Sequence, residues 1–452
     1  MNICTIFADG ESEWNCSQWR ALSPADVLNR SGKHTAKLVY IQSFADYSNP
    51  AVQDLVGSAQ VIVVQRNLID RSIIDAIDYW RGLRRAVVAD LDDDYPSLPH
   101  SNPAHEFWIK NAQKLSESPV ALLTEGLRHC DGLTSPSKVI LDDWKDVVPG
   151  YWVPNYAQGN WYLNVQPQKL QPGVVTIGWG GSVSHYDSWI FSGIKEALEQ
   201  VCKERTQVRI KICGNDPRLA NLLNIPKEQL VLQTGVSPQQ WPHIVKTFDI
   251  GIAPLDMREG YKSYDNHRSW IKAMEYLICG VPWIASKSNV YAELAEHGAV
   301  VENTPEQWHD ALIKAIDNIE FLKRDAKRKR KFGWGLTLEN NLDKLVETYE
   351  RIGLAAMPQL PQAFYVHWTT DEKTRRERQL KAQATLLQTP PPARLANDVL
   401  DEIQIAATVA ANRWTAGADF RGVNLKAPMK YDITQRLNSY LLSKANVLEN
   451  KT

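Results

Sequence analysis

The stretch Asp265-Asn-His-Arg-Ser-Trp-Ile-Lys-Ala-Met-Glu-Tyr-Leu-Ile-Cys-Gly280-Val-Pro282 decides how this chain is built. Asp265 or Asn266 can cap the start of a helix, Gly280 can end it in a left-handed turn, and Pro282 prevents its continuation. Trp270, Ala273, Met274, Leu277 and Ile278 recur at helical spacing and make one apolar stripe. The apolar run that follows Pro282 reads as a strand, so the segment is a helix that delivers the chain into a sheet. At about 100° per residue, Arg268, Lys272 and Glu275 fall within an arc of about 60° on the opposite side of the same helix.

That second face is electrostatically odd. Arg268 and Lys272 are like charges one turn apart, an arrangement that costs a few tenths of a kcal/mol in an isolated helix. Cations in a first turn also oppose the helix dipole, whose amino end is positive. Both placements make sense if an anion sits at that end, because free N–H groups, the dipole and two cationic side chains then converge on it. Glu275, one turn further on, is placed to accept bonds from vicinal hydroxyls. A diphosphate joined to a ribose fits this face. The plain alternative is an exposed helix with a Lys272–Glu275 ion pair.

Outward from this segment, short apolar runs alternate with longer amphipathic stretches from residue 1 to about 350, the pattern of β-α-β units around parallel sheets. In the first half the strands fall at Ile3–Ala8, Lys37–Ile41, Val61–Gln65, Ala86–Asp90, Ala121–Thr124 and Gly132–Thr134. Val147–Pro154 leads into Asn155–Gln171, which lacks a period and reads as a linker. The alternation restarts with Val174–Trp179, Val208–Cys213, Leu230–Gln233, Ile250–Ala253 and Trp283–Ala285. The expected fold is α/β: two doubly wound Rossmann-like domains facing across a cleft, over 1–160 and 161–352. A mainly helical extension of unknown role covers 353–452. In such sheets ligands bind beyond the carboxyl ends of the strands.

The composition excludes several classes. With 51 Lys+Arg against 52 Asp+Glu the chain is no globally basic nucleic-acid binder, and 44% hydrophobic residues argue against wholesale disorder. The six cysteines have no C-x-x-C spacing, so a zinc cluster is not expected, and several sit in strand-like runs where a free thiol is a small buried hydrophobe. No apolar run reaches the ~20 residues of a membrane helix, and the first residues lack a basic leader. The expectation is a cytoplasmic protein with no membrane span. The 16 Trp residues are the one excess, and most are expected to be packing.

The residues quoted above resemble the nucleotide-binding half of GT-B glycosyltransferases of the group-1 or family-four type, including its phage-like and bacterial subgroup. Arg268, Ser269, Lys272, Glu275, Gly280, Pro282 and the strand into Ser286 match that family's Lys/Arg-Ser-x-x-Lys-x-x-Glu helix with its trailing Gly-x-Pro. Ile177-Gly-Trp-Gly-Gly-Ser182 is similar to its glycine-rich first loop, and Ile212-Cys-Gly214 to its second strand and turn. The resemblance covers about 174–300. Cys130–Ser135 and Val153-Pro-Asn155 are weaker matches to the family's first domain. It implies a glycosyltransferase that takes a sugar from a UDP- or GDP-linked donor as co-substrate, with no separate cofactor, no catalytic metal, and retention at the anomeric carbon. It further implies that Arg268 and Lys272 stabilise the leaving phosphate, that Glu275 holds the ribose, and that Gly180, Gly181, Ser182 and Ser269 line the nucleotide. The family's Glu, eight residues before the ribose-binding Glu, is His267 here.

Asp90-Leu-Asp92-Asp93-Asp94 ends a strand where the cleft should open. Clustered carboxylates suit Mg²⁺ or Mn²⁺, but a polar cap or an acceptor-binding role ranks above metal binding. If a base is needed for the acceptor hydroxyl, Asp93, Asp9 and His105 are the positions, with Asp93 first. His185 is a further donor candidate near the glycines. The basic run Lys323–Lys331 reads as a solvated helix face. The acceptor is left open among glycan, protein and modified DNA. A phage-type enzyme acting on hydroxymethylated DNA bases and a noncatalytic nucleotide-binding module are the alternatives. The extension is the expected route to any oligomer.

Overall fold

A computed structural model of the chain describes residues 1–9, 16–110, 112, 117–163, 165, 173–214 and 217–356. The extension read from the sequence lies outside the described residues from 357 onward. Two six-stranded sheets, parallel throughout, make up the fold. In the first, β1 (Asn2–Phe7), β2 (Thr35–Tyr40), β3 (Val61–Gln65), β4 (Ala86–Asp90), β5 (Gly132–Ser135) and β6 (Gly150–Trp152) lie in the order β2-β1-β3-β4-β5-β6. In the second, β7 (Val175–Gly180), β8 (Val208–Cys213), β9 (Leu230–Gln233), β10 (Ile250–Ala253), β11 (Trp283–Ser286) and β12 (Ala299–Val301) lie in the order β12-β11-β10-β7-β8-β9. Helices fill the crossovers, as the α/β reading expects. Strand order reverses between β1 and β3 in one sheet and between β7 and β10 in the other, and each reversal opens a crevice at the carboxyl edge.

The sequence reading needs three corrections. Ala121–Thr124, expected as a strand, is helix, within Pro119–Arg128, because Pro119, Leu122, Leu123, Gly126 and Leu127 bury one face at helical spacing. A four-residue apolar run does not reveal its period. The edge strands β6 and β12 went unread because three residues show no alternation. Finally, Leu338–Ala356, placed by sequence with the second unit, is a helix whose Leu345, Val346, Tyr349 and Ile352 enter the first core. The chain returns beside its own outward crossing: Ala157 N–H donates to Leu336 O (3.1 Å) and Leu338 N–H to Ala157 O (2.8 Å).

The two faces of β7 show what holds the second sheet. Val175, Ile177 and Trp179 point to one side, into a core with Trp189 and Trp308. Gly178 and Gly180 point to the other, where the rings of Phe248 and Trp241 lie so close that an added Cβ would stand 2.1 Å and 2.0 Å from them. Gly251 on β10 meets Tyr276 in the same way at 2.7 Å. The glycines are therefore seats for a buried aromatic row, in which Trp241, Phe248 and Tyr276 succeed one another at centroid spacings of 6.2 and 6.4 Å. Replacing Gly178 by Ala forces the Phe248 ring off the sheet. The expected loss is about 1–3 kcal/mol, read as a lowered thermal midpoint with a native-like far-UV spectrum; an unchanged midpoint contradicts this packing.

Candidate active site

The carboxyl ends of the two sheets meet. On the first side β4 ends at Asp90, whose carboxylate takes two bonds from the buried Arg20 (2.9 and 2.7 Å) and one from the Thr134 hydroxyl (2.7 Å). Arg20 also donates to Val153 O (2.7 Å) and Asn155 Oδ1 (3.0 Å), and Asn155 Nδ2 donates to Ser269 Oγ (2.8 Å) on the second unit. This ladder satisfies an ion pair buried on both sides, the condition under which such a pair is tolerated. It also fixes Ser269, so that the residue read as a nucleotide contact is half-buried between the units and already accepts one bond.

Beyond Asp90 the chain turns through the aspartates. Asp92 accepts from Tyr95 OH (2.8 Å). Burial first, then the charge of Asp92, pushes the Asp93 carboxyl up, while Arg268, Tyr264 and Arg66 pull it down. Cys16 Sγ and one oxygen each of Asp92 and Asp93 lie within 4.8 Å of one another. The flanking guanidiniums of Arg66 and Arg268 supply the positive charge that such a trio attracts. Asp93 lines a cavity of about 290 Å³ on the first unit together with Arg66, Tyr95 and Trp108. Of the other base candidates, Asp9 is engaged by Arg66 and by the Ser17 hydroxyl (2.9 Å), and His105 lies tilted against His100 with ring centres 4.1 Å apart.

On the second side the helix runs from Ile271 to Cys279 and ends at Gly280 with φ 66°. It begins later than the sequence indicates. Tyr264–His267 is a separate 3₁₀ turn and Arg268 is extended (φ −72°, ψ 179°), so neither Asp265 nor Asn266 caps the helix. Asp265 instead collects Arg268 Nε (2.6 Å), the Ser188 hydroxyl (2.5 Å) and Asp256 N–H (2.6 Å). That pairing aims the rest of the Arg268 guanidinium at Ser184 O (2.7 Å) and His185 Nε2 (3.2 Å). Lys272 Nζ reaches the same His185 Nε2 at 3.0 Å.

Two cations thus converge on one imidazole nitrogen. Burial, and then the charges of Arg268 and Lys272, hold His185 well below its ordinary range, so it is neutral and Nε2 accepts. Its proton then sits on Nδ1, which is buried without a hydrogen-bond partner among the described residues. Burial, with Arg268 beside it, brings Lys272 down to about 8. Glu275 is buried, accepts from Tyr162 OH (3.0 Å), and is pushed up to about 7 by that burial. With Glu275 buried and Arg268 and Lys272 half-buried, the plain alternative of a solvent-exposed face does not hold.

Residues 176–318 match the family model described as glycosyl transferases group 1. Residues 176–318 are thus a group-1 glycosyltransferase domain, and the two-sheet fold of the chain is GT-B. No curated protein sequence matches it. Among solved structures the transferase is similar in fold to sucrose-phosphate synthase from Thermosynechococcus elongatus, with 12% identity and a TM-score of 0.56, covering 78% of this chain and 99% of that one. An alpha-glucosyltransferase solved with UDP and a 13-mer DNA containing an HMU base gives 11% identity and a TM-score of 0.51, over 77% of this chain and 99% of that one. The amino-terminal domain of a Candida albicans trehalose-6-phosphate phosphatase gives 10% and 0.50, over 78% and 96%. At these identities the likeness is one of fold.

In the transferase, the glycine-rich turn differs from its sequence reading. Gly180 is the last residue of β7, and Gly181 N–H already donates to Cys213 O (3.0 Å), so Gly181 offers no free amide to a phosphate. Ser182 is exposed and shares a bond with Ser184 (2.7 Å). His267 is buried and joins the units, with Nδ1 on Ser263 O and Nε2 on Asp143 Oδ2, both at 2.8 Å. Arg66 and Tyr264 were missed by sequence. Arg66 directly follows β3, and the rule that ligands meet strand ends would have marked it; Tyr264 carries no such signal. The basic run lies on the helix Ile319–Trp334, and Arg330 Nε donates to Ile278 O (2.8 Å) at the carboxyl end of the Ile271–Cys279 helix, opposite Lys272.

The two shifted groups set a pH dependence of stability. Glu275, raised to about 7, binds its proton more tightly folded than unfolded, so stability falls as pH climbs from its ordinary value toward 7. Lys272, lowered to about 8, does the reverse, and stability recovers above pH 8. Glu275→Gln is expected to remove the acid limb and raise stability at pH 7.5 by on the order of 2 kcal/mol. Melting curves at pH 5 and 7.5 check this, and a variant that loses stability at pH 7.5 refutes it.

Proposed function

We propose that the enzyme grips a nucleoside diphosphate sugar through the second unit and presents an acceptor hydroxyl from the first. One observation carries the reading: Arg268 and Lys272, both withdrawn from bulk water, point at a single neutral imidazole at the amino end of the Ile271–Cys279 helix. A diphosphate entering there meets two cations, of which Asp265 already pairs Arg268, together with the dipole and the first-turn amides, and displaces a neutral acceptor that brings no counter-charge. Arg268 and Lys272 then stabilise charge on the departing phosphate, Ser182 lies at the rim, and Glu275 is the ribose partner once Tyr162 yields to it. Asp93 orients the acceptor hydroxyl. The C1–phosphate bond breaks, the new C1–oxygen bond forms, and in the retaining course taken here the departing phosphate accepts the proton. UDP, the nucleotide bound to the alpha-glucosyltransferase of like fold, is the first to test, with GDP beside it. The co-substrate is the only cofactor-like molecule this reading requires. The basic helix packs behind the site, so the reading does not draw on it for the acceptor.

Lys272→Ala is expected to lower turnover on the order of a hundredfold, the usual effect of removing one preorganised charge-stabilising group. The fold should stand. UDP or GDP at about 100 times its Kd should stabilise the native protein by about 2.7 kcal/mol in a thermal-shift series. The variant should lose that gain, and wild-type affinity should fall as pH rises through 8, where Lys272 loses its charge. Tight binding with no transfer or hydrolysis would support a noncatalytic module; equal nucleotide stabilisation of variant and wild type would refute the site.

A further inference from the structure

We propose that the acceptor is a small, flat, largely apolar molecule bearing one hydroxyl, such as a phenol or aryl alcohol, bound in the first-unit cavity. The inference rests on the glycosyltransferase reading and names the substrate class of the same cleft.

Size comes first. At about 290 Å³ the cavity sits at the lower edge of the ~300–1,000 Å³ range of small-molecule sites. It holds one or two rings. Its walls decide the chemistry. Tyr95 and Trp108 stack at 4.7 Å with planes 27° apart, Phe107 meets Trp108 edge-on at 6.0 Å, and Ile69, Leu98 and Ala104 complete an apolar lining. Phe107 is 49% exposed, an aromatic left half in water at the edge of the cavity.

The polar groups differ in what they have left to offer. Tyr95 OH is engaged by Asp92 (2.8 Å); Asn102 donates to Tyr264 OH (3.2 Å) and accepts from Ala104 N–H (2.9 Å). Asn67 is a further polar lining group; Asp93 and Arg66 are the charged ones, and Asp93 also feels Arg268 of the donor side. A pyranose carries a hydroxyl on nearly every ring carbon and would leave most of them facing hydrocarbon, which costs roughly 1–3 kcal/mol each. A ring with one hydroxyl directed at Asp93 leaves none. A polynucleotide would need a cationic rim for its phosphates. The turn that carries Phe107 and Trp108 instead pairs its own Lys110 with Glu106 at 3.7 Å, so its charge sums to zero.

The test uses 7-hydroxycoumarin as the probe, titrated into the full chain and read by its own fluorescence anisotropy. Saturable binding is expected, with Phe107→Ala weakening it at least tenfold at an unchanged melting temperature. Methyl glucoside and a hydroxymethyluracil-containing oligonucleotide should fail to displace it. In the presence of the donor selected by thermal shift, coumarin should accelerate nucleotide release and yield a coumarin glycoside. No binding, binding indifferent to Phe107→Ala, or displacement by the sugar or the oligonucleotide overturns the proposal. If a nucleotide sugar binds and is turned over only with those other acceptors, the transferase reading stands and this one falls. If no nucleotide binds at all, the failure lies with the donor site, and both fall.

Discussion

The cleft depends on holding Arg268 and Lys272 out of water against the same neutral nitrogen. Two cations that approach one acceptor repel each other, and burial multiplies the repulsion by lowering the effective dielectric. The fold relieves half of it. Asp265, fixed by Ser188 and the Asp256 amide, neutralises Arg268 and keeps it charged. Lys272 has no such anchor; it donates to His185 and yields some of its basicity. The unfilled need for negative charge is thus concentrated on Lys272, at the end of a helix whose dipole wants the same thing. Stability is given up there in favour of affinity, as functional sites commonly do.

Everything that places those side chains is rigid. The Ile271–Cys279 helix is held through Tyr276, whose ring rests on Gly251 and whose hydroxyl donates to Ile252 O at 2.9 Å. Trp241 and Phe248 extend the same row over Gly180 and Gly178. The glycines of the Gly178–Gly181 turn therefore act through packing: they let aromatic rings lie flat on the sheet, and that sets the depth at which the helix and its cations sit. The sequence signal was real, and its physical meaning was different from a phosphate cradle.

How much was legible follows from length and period. Of the central strands, β3 and β4 are unbroken apolar runs, β1, β7 and β10 are apolar runs interrupted by Thr or Gly, and β8 alternates Val208, Ile210 and Ile212 with Arg209 and Lys211, so their positions could be read directly. The three-residue edge strands offered nothing to read, and the Ala121–Thr124 run was ambiguous by nature. Of the site, Lys272 and Glu275 were found on the right helix because spacing alone puts them together. Arg268 was found for a reason that the structure replaces: it lies before the helix, and an ion pair with Asp265, three residues earlier, brings it to the same place. His185 was marked by its place beside the glycines and Arg66 could have been marked by its place after β3, whereas Tyr264 joins the site only through tertiary packing, which no local pattern encodes.

The two units are coupled as well as adjacent. Their connections run side by side where Ala157 and Leu338 exchange backbone bonds, so a relative rotation must be absorbed near one line. Across the cleft from it, His267 contacts Asp143 (2.8 Å) and Asp94 (3.8 Å), and Asn102 contacts Tyr264. Tyr264 lies under the Arg268 guanidinium, 4.9 Å from ring centre to Cζ, and its hydroxyl adjoins Asp93. A displacement of the first unit therefore moves Asp93 relative to Arg268 through a single aromatic ring. On the proposed reading, donor charge and acceptor carboxyl are therefore adjusted together by any relative motion of the units, which would couple closure over a bound donor to the placing of the acceptor.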